Sequence, residues 1–142
     1  MTGMLAIDAM RARLDGAGSL AETLATGWDA FELLRAATDG CADGADGLFA
    51  AFMTASASAA NGRDLVGWAP SLPPGRAAGI GPRHEPLHDP DEVADALAML
   101  ATALSARLSS AASQAAHTED RSACEHAADE ARRIRALLIR DA

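Results

Sequence analysis

The chain has 142 residues, 49% of them apolar, with 20 acidic residues against 12 basic ones and a formal net charge of −8. That length suits one domain, 1–142, large enough to bury a core without disulfides. The acidic balance sets aside a nucleic-acid backbone or an anionic membrane as the main partner, since both select a cationic face.

Alanine dominates the apolar class, and the aromatic residues are only two tryptophans and three phenylalanines. Alanine loses no side-chain entropy in a helix and lets helix axes approach closely, so the composition is that of an all-α protein. Every basic residue is an arginine. With so much alanine and glycine, this points to a GC-rich bacterial genome and says nothing about chemistry.

The first residues, MTGMLAIDAMRARLDG, carry Asp8, Arg11 and Arg13 within the apolar run. They match neither a signal peptide nor a membrane span, and a cytoplasmic location is expected. Ile7, Met10 and Leu14 recur at spacings of three and four, which predicts a short helix over about 3–15, stopped by Gly16 and Gly18. A second helix opens at Ser19-Leu20-Ala21-Glu22, a capping box in which serine and glutamate satisfy end N–H groups reciprocally. Its stripe is Leu20, Leu24, Gly27, Phe31 and Leu34, and DGCADGADG (39–47) is expected to end it. The acidic residues Glu22, Asp29 and Glu32 fall off that stripe and read as a solvated face.

A third helix is predicted over about 46–60, with Leu48, Phe52, Ala55 and Ala59 inward and Asn61-Gly62 closing it. The fourth starts at Asp89-Pro90-Asp91-Glu92, an N-cap aspartate followed by a first-position proline and acidic first-turn residues. It continues through Val93, Leu97, Leu100, Leu104, Leu108, Ala111 and Ala115. A break is expected near His117-Thr118, where serines and a threonine weaken helix propensity. The fifth helix then aligns Cys124, Ala127, Ala131, Ile134 and Leu138, with Thr118 as its N-cap. Its charges, Asp129 and Glu130 before Arg132, Arg133 and Arg135, suit the helix macrodipole. The stripes predict a four-helix bundle with an extra short N-terminal helix and one long Pro/Gly-rich crossover.

Several motifs invite chemistry and fail on spacing. His84-Glu85-Pro86-Leu87-His88 fits H-E-x-x-H letter for letter, but that pattern needs both histidines on one helical turn, and Pro86 removes the helix. In an extended loop the two backbones stand roughly 13 Å apart, too far to share one ion. Asp39, Asp43 and Asp46 are spaced four and three, unlike the alternate ligands of an EF-hand, and no glutamate follows. Glu125-His126 and Asp129 run in the wrong order for a di-metal bundle site. Cys41 and Cys124 make no CxxC, and there is no G-x-S-x-G or glycine-rich phosphate loop. No catalytic residue, metal or cofactor is expected.

What remains is the irregular crossover 61–88, whose 28 residues include five glycines and five prolines. Loops beyond about 15 residues in compact domains are usually functional or disordered. Its first half, DLVGWAPSLPP, is apolar and holds Trp68 in a proline-stiffened setting that suits packing on the bundle or receiving a partner, and Trp68 and Leu72 are expected to dock on the helices. Two functions from different classes follow. The leading one is a small helical interaction protein, a homo-oligomer with a possible protein partner and no catalysis, because alanine seams bury little apolar area and gain from a partner's surface. A two-fold dimer burying the fourth or fifth helix would thicken the core. The alternative is a small-molecule-binding or enzymatic bundle closed by 61–88, with Trp28, Phe31 and Trp68 as apolar walls and Arg63 or Asp64 as polar handles.

Overall fold

The structure, a computed structural model, describes residues 2–42, 47–73 and 89–139, without the side chains of 2–5, 41 and 42. It contains five helices: α1 (Thr2–Gly16), α2 (Leu20–Ala42), α3 (Phe49–Gly67), α4 (Pro90–Gln114) and α5 (Thr118–Leu138). No strand occurs among the described residues. The protein is all-α, as the composition predicts. Among these residues, no helix is long and apolar enough to cross a membrane.

The helix starts follow from local capping. The Ser19 hydroxyl accepts from the Glu22 N–H at 3.1 Å, and the Glu22 carboxylate accepts from the Gly18 N–H at 3.1 Å. At α4, the Asp89 carboxylate accepts from the Asp91 N–H at 3.1 Å and Pro90 takes the first turn, where its missing N–H costs nothing. Helices α4 and α5 are separate, with the break at Ala115–His117. The cap of α5 is His117, one residue before the expected Thr118, and it makes no side-chain capping bond. Arg121 closes this corner by donating to the Ala115 carbonyl at 3.1 Å.

The expected stripes are buried. Leu14 of α1, Leu24, Phe31 and Leu34 of α2, and Phe52, Ala55 and Ala59 of α3 form one core with the α4 leucines. Cys124, Ala127, Ala131, Ile134 and Leu138 of α5 complete it. Helix α2 packs on α3, α3 on α5, α5 on α4 and α4 on α2, while α1 lies against α4 and α2. This packing is consistent with a bundle.

Two boundaries differ from expectation. Helix α2 runs on to Ala42, through the first residues of DGCADGADG. Helix α3 runs past Asn61-Gly62 to Gly67, so the first seven residues of the expected crossover are helical. Gly62 is not a stop signal here because its missing side chain makes room for Phe31. A Cβ at 62 would stand 2.7 Å from Cδ1 of that ring and closer still to Cε1. Glycine in mid-helix costs about 1 kcal/mol of propensity, and close packing of the two helices offsets it. The helix ends at Trp68, whose N–H reaches the carbonyls of Asp64 and Leu65, and Pro70 prevents its return.

Gly62→Ala is therefore expected to destabilise the fold by about 1–3 kcal/mol through overpacking against an immobile ring. Gly40→Ala, where nothing lies within 4 Å, is expected to gain up to about 1 kcal/mol. Urea denaturation of the two variants checks the opposite signs.

Candidate functional site

The side chains that carry charge into the interior meet at the α2–α3 contact. Glu32 lies on α2 one residue beyond Phe31, and its side chain is 1% exposed. It is not part of a solvated face, which corrects the expectation from the stripe. Arg63 of α3, one residue beyond Gly62, donates to Glu32 Oε1, and Arg35 donates to both carboxylate oxygens at 3.1 and 3.3 Å. Burial alone raises the pKa of Glu32, but the hydrogen bonds and charges of Arg35 and Arg63 outweigh it and hold the carboxyl below its usual value. The network extends outward. Arg35 also pairs with Asp39 at 3.2 Å, and Asp39 accepts from the Ser56 hydroxyl at 2.7 Å. Asp39 thus belongs to a helix-to-helix tie, while Asp43 and Asp46 lie outside the described residues.

A second buried carboxylate, Asp120 in the first turn of α5, ties the chain leaving α3. The Ser71 N–H and hydroxyl donate to its two oxygens at 3.0 and 2.6 Å. Leu72 packs on the core as expected, and Ala69 is buried. Trp68 is not docked. It is 84% exposed, in register with the outward residues Phe49, Met53 and Ala57 of α3 at about 100° per residue. Its backbone is nonetheless held on both sides, by Val66 and Ala69 in the core and by Ser71 on Asp120.

Of the pocket expected beneath 61–88, the five named residues are described, while 74–88 lie outside the described residues. Phe31 is wholly in the core and Trp28 is half-buried against it. Arg63 holds Glu32 and also pairs with Asp64 at 3.2 Å. Trp68 stands in solvent. Arg63 and Asp64 pair with each other, and Phe31 and Trp28 both face the second half of α3, at Gly62 and Gly67. Three clefts formed by described residues lie elsewhere: about 580 Å³ between α4 and α5 around Arg121, Glu125, Asp129 and Arg132, about 320 Å³ between α1 and α4 beside Met99, and about 150 Å³ near Arg107 and the start of α2. Among the described residues, no group of three or more His, Cys, Asp or Glu could hold a metal. The histidines of HEPLH lie outside the described residues. Cys124 is buried one turn beyond Asp120, and desolvation with the charges of Asp120 and Glu125 pushes its thiol up to about 11, away from nucleophilic use near neutral pH.

One surface stands apart. At about 100° per residue, Phe49, Ala50, Met53, Ala57, Asn61, Asp64 and Trp68 fall on a single outer face of α3, and all are exposed. Phe49 and Met53 are 49% and 46% exposed. The one charge on this face, Asp64, is paired with Arg63. The solvent face of α5 is unlike it, with Glu125, Asp129, Arg132 and Arg133, while that of α4 carries Asp91, Glu92 and Asp95 at its start and Met99, Thr102, Ala106 and serines beyond them. Comparisons with known protein families, with characterised proteins and with solved structures found no match.

Removing Arg63 leaves Glu32 buried with one cation instead of two. Arg63→Leu is expected to cost about 1–3 kcal/mol, the range for losing a hydrogen bond to a buried charged group. The pH dependence has a definite sign. Since the folded pKa of Glu32 lies below its unfolded value, this stability is fully present above about pH 4.3 and is lost as pH falls through the folded pKa. The variant is expected to begin acid unfolding at higher pH than the wild type, measured by circular dichroism. Ser71→Ala is expected to cost about 1–3 kcal/mol by under-satisfying Asp120, and to speed amide exchange at 69–72 more than in α4.

Proposed function

We propose that this chain is a small cytoplasmic helical interaction protein that self-associates and has no catalytic activity of its own, with the outer face of α3 as its contact surface. The observation that carries this reading is Trp68, nearly fully exposed yet held on an anchored backbone at the end of an apolar helix face. A solvated helix ordinarily turns charged and polar side chains outward. Helix α3 turns out Phe49, Met53 and Trp68 instead, with a single, already paired charge between them. A tryptophan whose backbone is fixed beforehand loses little further entropy on docking, and tryptophans are over-represented among the residues that dominate binding energy. The charged outer face of α5 and the acidic start of α4 favour α3 over the fourth or fifth helix as the contact surface, since α4 exposes one large apolar side chain, Met99, where α3 exposes three. The dimer face is accordingly assigned to α3.

Sedimentation velocity across micromolar concentrations is expected to show reversible self-association. Trp68→Ala is expected to weaken it by about 2 kcal/mol, roughly 30-fold, while the urea midpoint of the dissociated chain stays nearly unchanged. A wild-type chain that sediments as a monomer throughout, or a Trp68→Ala variant that associates as tightly as wild type, overturns the reading.

A further inference from the structure

Resting on that reading, we infer that the occupant of the α3 face is the α3 face of a second copy, laid antiparallel across a two-fold axis near residue 59. The distribution of side-chain size along the helix selects this arrangement. The large exposed residues sit at the two ends, Phe49 and Met53 at the start and Trp68 at the finish. The middle of the exposed face presents Ala57 and Asn61.

A two-fold interface must be self-complementary, with residue i meeting j and j meeting i. Two parallel copies would place tryptophan against tryptophan and phenylalanine against phenylalanine, with the small central residues facing each other across a gap. Antiparallel copies instead bring each Trp68 to the level of Ala50 in the partner, between Phe49 and Met53. The small residue leaves room for the indole, and the ring and the thioether flank it, both favourable neighbours for an aromatic. Ala57 and Asn61 then meet at the axis, where short side chains allow the helices to approach to about 8 Å.

Charge and area agree with a second copy. Each chain carries a net charge of −8, which opposes association through most surfaces, but the only charge on this face is Asp64, paired with Arg63. Aromatic residues bury about 150–250 Å² each. At the observed exposures Trp68, Phe49 and Met53 supply at most roughly 400 Å² per copy on that scale, and the small residues between them bring the two-copy total to about 1,000 Å², the floor for a specific interface and the size of a weak, reversible one.

Cysteine pairing in a Cys41→Ser background tests the geometry. Cys124 is buried and stays out of the chemistry. Under mild oxidation, an equal mixture of Ala57→Cys and Asn61→Cys chains is expected to yield covalent dimers containing one of each. Ala50→Cys alone is expected to yield almost none, because its two copies would stand roughly 27 Å apart at 1.5 Å per residue. Efficient linking of Ala50→Cys to itself would mean a parallel arrangement and overturn the inference while leaving self-association through α3 intact. A dimer by sedimentation in which neither the mixture nor Ala50→Cys links would place the interface off α3 and overturn both readings. A chain that is monomeric by sedimentation fails the functional reading itself, and the inference with it.

Discussion

Helices α2 and α3 meet where a phenylalanine ring occupies the volume that any side chain at position 62 would need. That contact sets the register of the pair. With Phe31 seated on Gly62, the next residue of each helix, Glu32 and Arg63, meet as an ion pair. The same rotation of α3 turns Phe52, Ala55, Ala59 and Val66 inward and leaves Phe49, Met53, Ala57 and Trp68 facing out. The apolar outer surface is therefore a consequence of how α3 is fixed against α2, since helical periodicity leaves no freedom to bury one face without presenting the other.

The two buried carboxylates serve placement more than net stability. A buried ion pair recovers about what its desolvation costs, and well-packed apolar residues would often do as well. Its use lies in the arrangement it excludes. Sliding α3 along α2 by one turn would strand Glu32 in the interior without its second arginine. Letting the chain after α3 come away would leave Asp120 buried and unpaired, since Ser71 supplies both of its bonds. Each acid penalises one specific misarrangement, and the second keeps the backbone around Trp68 in position.

The inward stripes were legible in the sequence because period 3.6 writes them locally, and so were the capping box at Ser19 and the Asp89-Pro90 start. Glu32 was not, because the residue that makes its burial tolerable lies 31 positions away on another helix. Only Arg35, three residues on, hinted at a partner. Gly62 misled for the same reason. A glycine after an asparagine reads as a stop, and only the ring of Phe31 shows that the helix continues. Trp68 was expected to dock because ordering a strap so rich in glycine must be offset by apolar contacts. Its exposure depends on the rotation at which α3 ends, which is set by α2. Of the residues singled out for a site, Arg63, Asp64 and Trp68 lie along the last turns of α3, but only the last belongs to its apolar outer face without a pairing role inside.

The alanine seams give this protein a lopsided tolerance to change. Ala55, Ala59, Ala127, Ala128 and Ala131 are wholly enclosed, and there is no methylene to remove from them. Truncation, the commonest way to damage a core, finds its targets at the large residues they surround, Leu14, Leu24, Phe31, Leu34, Phe52, Ile134, Leu138 and the leucines of α4. Enlargement finds its targets at the alanines, since each added carbon must push a helix outward in an interior that is already close-packed. The large core residues thus resist loss of volume and the small ones resist gain of it, which leaves the charged exterior as the part of the sequence most open to drift.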